Sequence, residues 1–151
     1  MRTQYILKNE SGTFYYSDKK MTKRHREDGP AVEYSDGYKA WYLNGKWHRE
    51  DGLAVEWADG TKHWYSNGQW HREDGPAIEW SDGSKSWYLN GQRHREDGPA
   101  IEYPDGTKHW YLNGQRLSKE EWEQRVMKKT ININGKAFTL EELNALIASV
   151  K

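Results

Sequence analysis

The chain has 151 residues, of which 23 are basic and 23 acidic, so its formal net charge is zero. Zero net charge argues against a general polyanion-binding surface, and the lack of cysteine excludes disulfides and thiolate metal sites. No apolar run is long enough for a signal peptide or a membrane span, so we expect a cytoplasmic protein without a transmembrane segment.

The first segment, residues 1–24, is basic, with six basic and two acidic side chains. Its stretch QYILKNESGTFYYS places two β-prone runs around an Asn-Glu-Ser-Gly turn, which predicts a β-hairpin. The hairpin does not fit the repeat that follows it. Terminal units of repeat arrays are atypical because they cap the stack, so we predict an N-terminal capping hairpin.

Residues 25–116 consist of four units of 23 residues, which begin at His25, His48, His71 and His94. Each opens with HREDGPA, or with HREDGLA in the second unit, and each contains one Asp-Gly and one Asn-Gly. Both dipeptides favour two-residue hairpin turns of type I′. The runs between them are short and rich in β-branched and aromatic residues, so each unit is predicted to be one β-hairpin. Single hairpins are marginal in water, which predicts one elongated, mainly β sheet of stacked antiparallel hairpins.

The hairpin register follows from the turn. A two-residue loop at Asp36 and Gly37 would pair Val32 with Trp41 and Glu33 with Ala40. Side chains then alternate between two faces. The face predicted to be buried holds Val32, Tyr34, Lys39 and Trp41. The face predicted to be exposed holds Glu33, Tyr38, Ala40 and Tyr42.

The candidate partner-binding residues come from the predicted exposed face and its rim. The tyrosine row is Tyr42, Tyr65, Tyr88 and Tyr111, and the glutamate row is Glu33, Glu56, Glu79 and Glu102. Between the rows the units carry Ala40, His63, Ser86 and His109, and before each following histidine position they carry Trp47, Trp70, Arg93 and Arg116. Varying positions either make partner-specific contacts or have no role, and both readings stay open. We select both rows with His63, His109, Trp47 and Trp70 as candidates, because aromatic anchors often dominate interfaces.

Residues 117–151 are predicted to form a helix–hairpin–helix cap. Ser118 with Glu121 and Thr139 with Glu142 have capping-box spacing, which predicts helices over about 119–128 and 140–150. The stretch TININGKAF between them predicts a short hairpin. The apolar face of the second helix would either cover the open sheet edge or form a homodimer or partner surface.

The repeated His-Arg-Glu-Asp cluster contains residue types found in active sites. Two-strand units repeat at roughly 10 Å, so neighbouring histidines of the row cannot share an ion at bond lengths of about 2 Å. A catalytic site needs one asymmetric constellation, whereas this cluster recurs four times. No phosphate loop, dinucleotide fingerprint or nucleophile elbow is present. We therefore expect a structural role for the cluster, with no catalytic residues, metal or cofactor.

The order Asn-Gly-Lys/Gln-x-His, Gly, aromatic, Asp-Gly-x-Lys and an aromatic pair resembles the MORN repeat. The matching positions of one unit are Asn44, Gly45, His48, Gly52, Trp57, Asp59, Gly60 and Trp64. The loop after the histidine is longer here, and the segment from Asp-Gly to Asn-Gly is shorter, as in variant repeats of bacterial and bacteriophage proteins. The resemblance implies an elongated sheet of hairpins with a binding or scaffolding role and no catalysis.

The leading functional hypothesis is a non-enzymatic protein that binds another protein. By analogy with the resemblance, it would be an anti-defence inhibitor of a phage or an antitoxin-like neutraliser in a bacterial host cytoplasm. Two alternatives are a sponge for a small ligand or nucleotide in aromatic pockets, and a peripheral membrane-contact scaffold that uses the basic N-terminus. Nucleic acid is not expected, because residues 25–116 hold eleven basic and sixteen acidic side chains, a balance of −5.

Overall fold

The computed structural model describes residues 4–127, 130–133 and 136–149. Eleven strands form one antiparallel sheet, and their order across the sheet follows their order along the chain. Two short helices lie at the C-terminus. The predicted fold class, an elongated sheet of β-hairpin repeats with a small α+β element at the C-terminus, is confirmed.

The predicted N-terminal hairpin is present. Strands β1 (Tyr5–Asn9) and β2 (Gly12–Tyr16) pair in antiparallel orientation. The side-chain oxygen of Asn9 accepts hydrogen bonds from the backbone N–H groups of Ser11 and Gly12 at 3.0 and 3.2 Å, which fixes the turn. Because β2 also pairs with the first strand of the repeats, the hairpin continues directly into the sheet.

Each of the first three units contains four short strands rather than the predicted two. The first unit has β3 (Val32–Tyr34), β4 (Lys39–Ala40), β5 (Tyr42–Leu43) and β6 (Lys46–Trp47). The second has β7 (Val55–Glu56), β8 (Lys62–His63), β9 (Tyr65–Ser66) and β10 (Gln69–Trp70). The third has β11 (Ile78–Glu79), β12 (Lys85–Ser86), β13 (Tyr88–Leu89) and β14 (Gln92–Arg93). The fourth has β15 (Ile101–Glu102), β16 (Lys108–Leu112) and β17 (Gln115–Leu117).

The Asn-Gly turns close the second hairpin of each unit. Asn44 and Gly45 both have positive φ, at 52° and 82°, as the predicted type I′ turn requires. Successive Asn-Gly hairpins are joined through the backbone, because the N–H of Gly68 donates to the carbonyl of Trp47 at 2.8 Å. A second column of hairpins therefore runs along the main sheet.

The Asp-Gly turns differ from the prediction. The N–H of Tyr34 donates to the carbonyl of Tyr38, which leaves three residues in the loop rather than two. The carboxylate of Asp36 accepts the N–H of Tyr38 at 2.9 Å, and Gly37 has a φ of 100°. This is a type I turn followed by a left-handed glycine, and the aspartate side chain stabilises it.

The extra loop residue changes the predicted register. Val32 pairs with Ala40 and Glu33 with Lys39, one residue away from the expected pairing. Because side chains alternate along a strand, this shift moves one whole strand to the opposite face. The predicted buried face of Val32 with Trp41 is therefore wrong, as is the predicted exposed face of Glu33 with Tyr42.

The core is thin and follows the β-branched row. Its central residues are Val32, Val55, Ile78 and Ile101, each at most 4% exposed. Small residues pack beside them, and Ala31, Ala40, Ala54, Ala77 and Ala100 have no exposed surface. Short alanines let the two columns of hairpins approach each other closely, so the sheet is stabilised without a thick aliphatic layer.

The predicted C-terminal helices and hairpin are present. They are α1 (Lys119–Met127), β18 (Thr130–Ile133), β19 (Lys136–Thr139) and α2 (Leu140–Ser149). The predicted helix ends at 128 and 150 lie outside the described residues. Both capping boxes form. The N–H groups of Glu121 and Glu142 each donate to the hydroxyl of the preceding cap residue at 3.1 Å.

Helix α1 closes the C-terminal end of the array. It packs against β16 and β17, and the indole N–H of Trp122 donates to the carbonyl of Arg95 at 2.8 Å. Helix α2 packs against β19 and α1, and leaves Leu146 and Ile147 57% and 63% exposed. The C-terminal edge of the sheet, which α2 was expected to cover, is thus covered by α1. Within the described ranges, neither helix has the length and apolarity to cross a membrane.

Candidate functional site

Each unit presents two faces with different chemistry. The front face is formed by Val32, Tyr34, Tyr38, Ala40, Tyr42 and Trp47 and the residues 23, 46 and 69 positions later. The back face is formed by Glu33, Lys39 and Trp41 and their equivalents, together with the HREDGPA loops.

The histidine of each HREDGPA loop holds the Asn-Gly turn of its own unit. Nδ1 of His25 accepts the backbone N–H of Asn44 at 3.0 Å, and the other three histidines repeat this bond at 3.1 Å. Because the donor is a backbone N–H, Nδ1 carries no proton and the neutral ring is protonated at Nε2. The histidines therefore act as turn anchors, as expected from their repetition.

The arginine of each loop, called a back arginine, covers an aromatic ring and bonds to acids. These residues are Arg26, Arg49, Arg72 and Arg95. Arg72 lies 4.0 Å from the ring centroid of Trp64 and pairs with Asp74 at 2.8 Å and Glu79 at 3.2 Å. It also donates to the carbonyl of Pro76 at 3.4 Å. One side chain thus joins the loop, the tryptophan row and the glutamate row.

The second unit, where Leu53 replaces proline, departs from this pattern. Arg49 keeps its bond to Asp51 at 2.9 Å and its position over Trp41. Among the described residues, however, it makes no ion pair with Glu56, and its side chain is 30% exposed, compared with 19% for Arg26. Proline at this position therefore accompanies the full set of arginine contacts.

Three of the loop aspartates are unsuited to donating protons. Hydrogen bonding by Arg26 lowers the pKa of Asp28, and the corresponding arginines lower the pKa of Asp51 and of Asp74. A general acid at neutral pH needs a raised pKa. Grooves of about 870, 830 and 640 Å³ lie between successive loops, lined by these charged groups and by Trp41, Trp64 or Trp87.

The front face carries a continuous set of ring contacts, which we call the aromatic patch. It comprises Phe14, Tyr34, Tyr38, Tyr42, Trp47, Trp57, His63, Tyr65, Trp70 and Tyr88. One chain of contacts runs from Phe14 to His63, and its closest pair is Tyr38 with Trp57 at 4.9 Å between centroids. A second chain runs from Tyr42 to Tyr88, with centroids 5.0–5.7 Å apart. His63 joins the two chains through Tyr65 and Trp70.

The patch mixes anchored and exposed rings. Tyr65 and Tyr88 are buried, whereas Trp57, Tyr34 and Trp47 are 47%, 39% and 36% exposed. Burial raises the pKa of Tyr38 and that of Tyr65 to about 12, and neighbouring tyrosines add to both shifts. These phenols therefore stay neutral in any physiological medium. The patch combines exposed apolar surface with a rigid base, as protein interfaces do at their centre.

The front face changes character toward the C-terminal units. Ser86 replaces His63, and Arg93 and Arg116 replace Trp47 and Trp70. Arg93 lies 5.7 and 5.4 Å from the ring centroids of Tyr88 and Tyr111, so it continues the second chain with a cation in place of a ring. The aromatic patch therefore ends at Tyr88 in the third unit.

The structure separates the selected residues into two groups. The tyrosine row, His63, His109, Trp47 and Trp70 lie on the front face. The glutamate row lies on the back face, where Glu33, Glu79 and Glu102 are bound by back arginines. The placement of glutamates beside tyrosines was wrong because of the register shift.

Sequence reasoning missed four members of the patch. Phe14, Tyr34, Tyr38 and Trp57 were not selected, although they connect the tyrosine row to the N-terminal hairpin. Tyr34 and Trp57 each stand two positions after a core valine. That spacing places them on the same face as the core residue and could have identified them.

Comparisons with known proteins leave the chain without an assigned relative. No family model matches it, and a search of curated proteins finds no match. The function must therefore be argued from the two faces.

Proposed function

We propose that this chain is a non-catalytic repeat protein, of the MORN-like variant type, that binds another protein through the aromatic patch of its front face. Trp57, Trp47 and Tyr34 supply exposed aromatic area, and the half-buried Tyr38 and the buried Tyr65 pack against them. Tryptophan and tyrosine in such surroundings dominate binding energy at protein interfaces. The contiguity of the exposed rings is the observation that carries the proposal.

We propose that the chain has no catalytic activity, because of the chemistry of the repeated loop. The histidines and aspartates of the HREDGPA loops are engaged in bonds within the fold. By the resemblance alone, the partner would be a bacterial protein that a phage inhibitor or an antitoxin-like protein neutralises.

The nucleotide alternative is less well supported by the geometry. Trp47 is flanked by Tyr42 and Tyr65, and Trp70 by Tyr65 and Tyr88, so both faces of each indole already have a neighbouring ring. Stacking on a base needs a free ring face. The first back groove is lined by four carboxylates and by two arginines that already pair with aspartates, so it disfavours phosphate.

The chain itself offers substitutions for testing the front face. Positions 38, 47, 63 and 70 can be exchanged for residues that other units carry there, as Y38T, W47R, H63S and W70R. The fold accepts these residues in the third and fourth units, so the quadruple variant should remain folded. At a salt concentration that screens the two added arginines, it should lose at least about tenfold in affinity for the partner, because several aromatic anchors are removed.

The experiment uses proximity crosslinking and capture from a bacterial lysate, followed by calorimetry with the purified partner. The matched control is K39Q/K62Q/K85Q, which changes the same number of strands on the back face. Circular dichroism should show the same fold for all three proteins. A partner that the quadruple variant and the wild type bind equally well would refute the front-face assignment.

A further inference from the structure

The arginines of the array fall into two sets with opposite surroundings. Every back arginine forms an ion pair with the aspartate two positions later, at 2.8–2.9 Å. Arg24, Arg93 and Arg116, which we call the front arginines, have no carboxylate partner among the described residues. They occupy one equivalent position of the 23-residue period, since they are 69 and 23 residues apart.

The front arginines are nevertheless held in place. Arg24 lies 5.4 and 5.8 Å from the ring centroids of Phe14 and Tyr42. Nε of Arg93 donates to the hydroxyl of Tyr88 at 3.0 Å. The guanidinium of Arg116 lies 3.0 Å from Nδ1 of His109. Such contacts fix the orientation of each cation and leave its charge unneutralised.

The strand positions of the front face do not supply the missing negative charge. Its strand positions carry valine, isoleucine, aromatic, alanine, serine, histidine or arginine side chains. The glutamates of the same strands all point to the back face. Arg24 thus flanks the aromatic patch on one side, and Arg93 and Arg116 flank it on the other.

We infer that the partner bound by the aromatic patch presents an acidic protein surface, with carboxylates on both sides of an apolar centre. This inference rests on the proposed function and specifies the chemistry of the partner. Arginine forks bind carboxylates in bidentate geometry, and guanidinium groups already oriented by aromatic rings lose little freedom on binding. The net charge of the whole chain hides this surface because the compensating acids lie on the back face and in the loops.

A single-stranded nucleic acid also carries negative charge, and it is the competing class of partner. It binds by stacking bases on free aromatic faces along a cationic groove. In the patch, Trp47 and Trp70 each have a tyrosine on both sides, so these two indoles offer ring edges rather than ring faces. The geometry therefore favours a protein surface.

The test uses defined probes. Fluorescence anisotropy would compare three labelled probes, namely a random copolymer of glutamate and tyrosine, a copolymer of lysine and tyrosine, and a single-stranded oligothymidylate. We expect the glutamate–tyrosine copolymer to bind at least about tenfold more tightly than either other probe, with an affinity that falls as salt rises. Failure to bind this copolymer, or tighter binding of the oligonucleotide, would overturn the inference.

The role of the front arginines is tested with substitutions that the chain itself carries at equivalent positions of other units. R93W/R116W installs the tryptophan found in the first two units and removes two charges while keeping ring packing. Its affinity for the glutamate–tyrosine copolymer should fall about fivefold or more, and its salt dependence should decrease. The control K39Q/K62Q/K85Q removes three charges from the back face and should stay within about twofold of the wild type.

The two proposals fail in different ways. Y38T/H63S removes aromatic surface without changing the formal charge and tests the patch itself. If it weakens copolymer binding while R93W/R116W does not, the acidic-partner inference is wrong and the patch still binds. If neither variant weakens binding, the proposed binding face is wrong as well.

Discussion

The front and back faces differ in which residues the four units hold constant. The back face repeats the same arginine, aspartate, glutamate and tryptophan in each unit, and nearly all of them bond to one another. The front face keeps its core valine or isoleucine and its tyrosine but varies the positions around them. Identity between units therefore marks the contacts that build the array, whereas variation marks the surface that is free to specialise.

The largest difference between the faces should appear when one arginine from each is truncated. Arg72→Ala removes a stacked ring contact and bonds to Asp74 and Glu79, and should lower the free energy of unfolding by about 2–4 kcal/mol. Arg93→Ala should cost about 1 kcal/mol or less, because its partners are phenol groups. Urea unfolding measures the stability of both variants. Equal losses of stability would show that front and back arginines contribute equally to the fold.

The histidine anchors should give the next largest effect. His71→Ala leaves the backbone N–H of Asn90 without its acceptor and should cost about 1–2 kcal/mol. His71→Asn places a side-chain oxygen near the position of Nδ1 and should retain much of that stability. Thermal unfolding of the two variants separates loss of the hydrogen bond from loss of the ring. A His71→Asn variant no more stable than His71→Ala would contradict the anchoring role.

One substitution in the second unit, where Leu53 replaces proline, should increase stability. Leu53→Pro should restore the contact between Arg49 and Glu56 and restrict the unfolded chain, for a gain of about 0.5–1 kcal/mol. The matched reverse change, Pro76→Leu, should destabilise by a similar amount. Chemical denaturation measures both, and nuclear magnetic resonance of the arginine Nε–H groups would report on the ion pair. A destabilising Leu53→Pro would mean that this loop has its own conformation.

The smallest expected effect is a pH dependence on the front face. Burial lowers the pKa of His63 below 6.5, against the opposing charge of Asp59. Well above pH 6.5 the ring is neutral in both the folded and the unfolded chain, so its full contribution to the stability of the fold is present. As the pH falls, the unfolded chain takes up the proton first, and stability declines until the pH passes the lowered pKa. Because solvent screens this half-buried ring, the decline should stay below about 1 kcal/mol.

His63→Ser tests that decline, since Ser86 shows that the fold accepts serine at this position. Between about pH 7 and pH 5, the free energy of unfolding should change less with pH for the variant than for the wild type. The same pH dependence of stability in both proteins would mean that His63 does not contribute to it.

The local elements could be predicted where one residue pattern has one structural solution. Asn-Gly selects a turn with two positive φ values, and both capping boxes place a helix start at the residue after the cap. These predictions hold because the causes lie within a few residues. The number of hairpins per unit was underestimated, since strands of two residues give little sequence signal.

The faces could not be predicted because Asp-Gly fits two loops of different length. The three-residue loop depends on the Asp36 carboxylate reaching the N–H of Tyr38, and the dipeptide alone does not reveal that bond. One additional loop residue moved Trp41 to the back face, where Arg49 covers it. The candidate glutamates were misplaced for the same reason, whereas the tyrosine, tryptophan and histidine positions were placed together on one face.

The order of strands in the sheet has a consequence for biosynthesis. From β1 to β17, each strand of the eleven-stranded sheet lies beside the strand that precedes it in that sheet along the chain. When a hairpin leaves the ribosome, the sheet edge it joins has already been made, starting from the N-terminal hairpin. The array can therefore grow in the direction of translation, with short loops to close at every step, and new strands add only at the edge opposite β1.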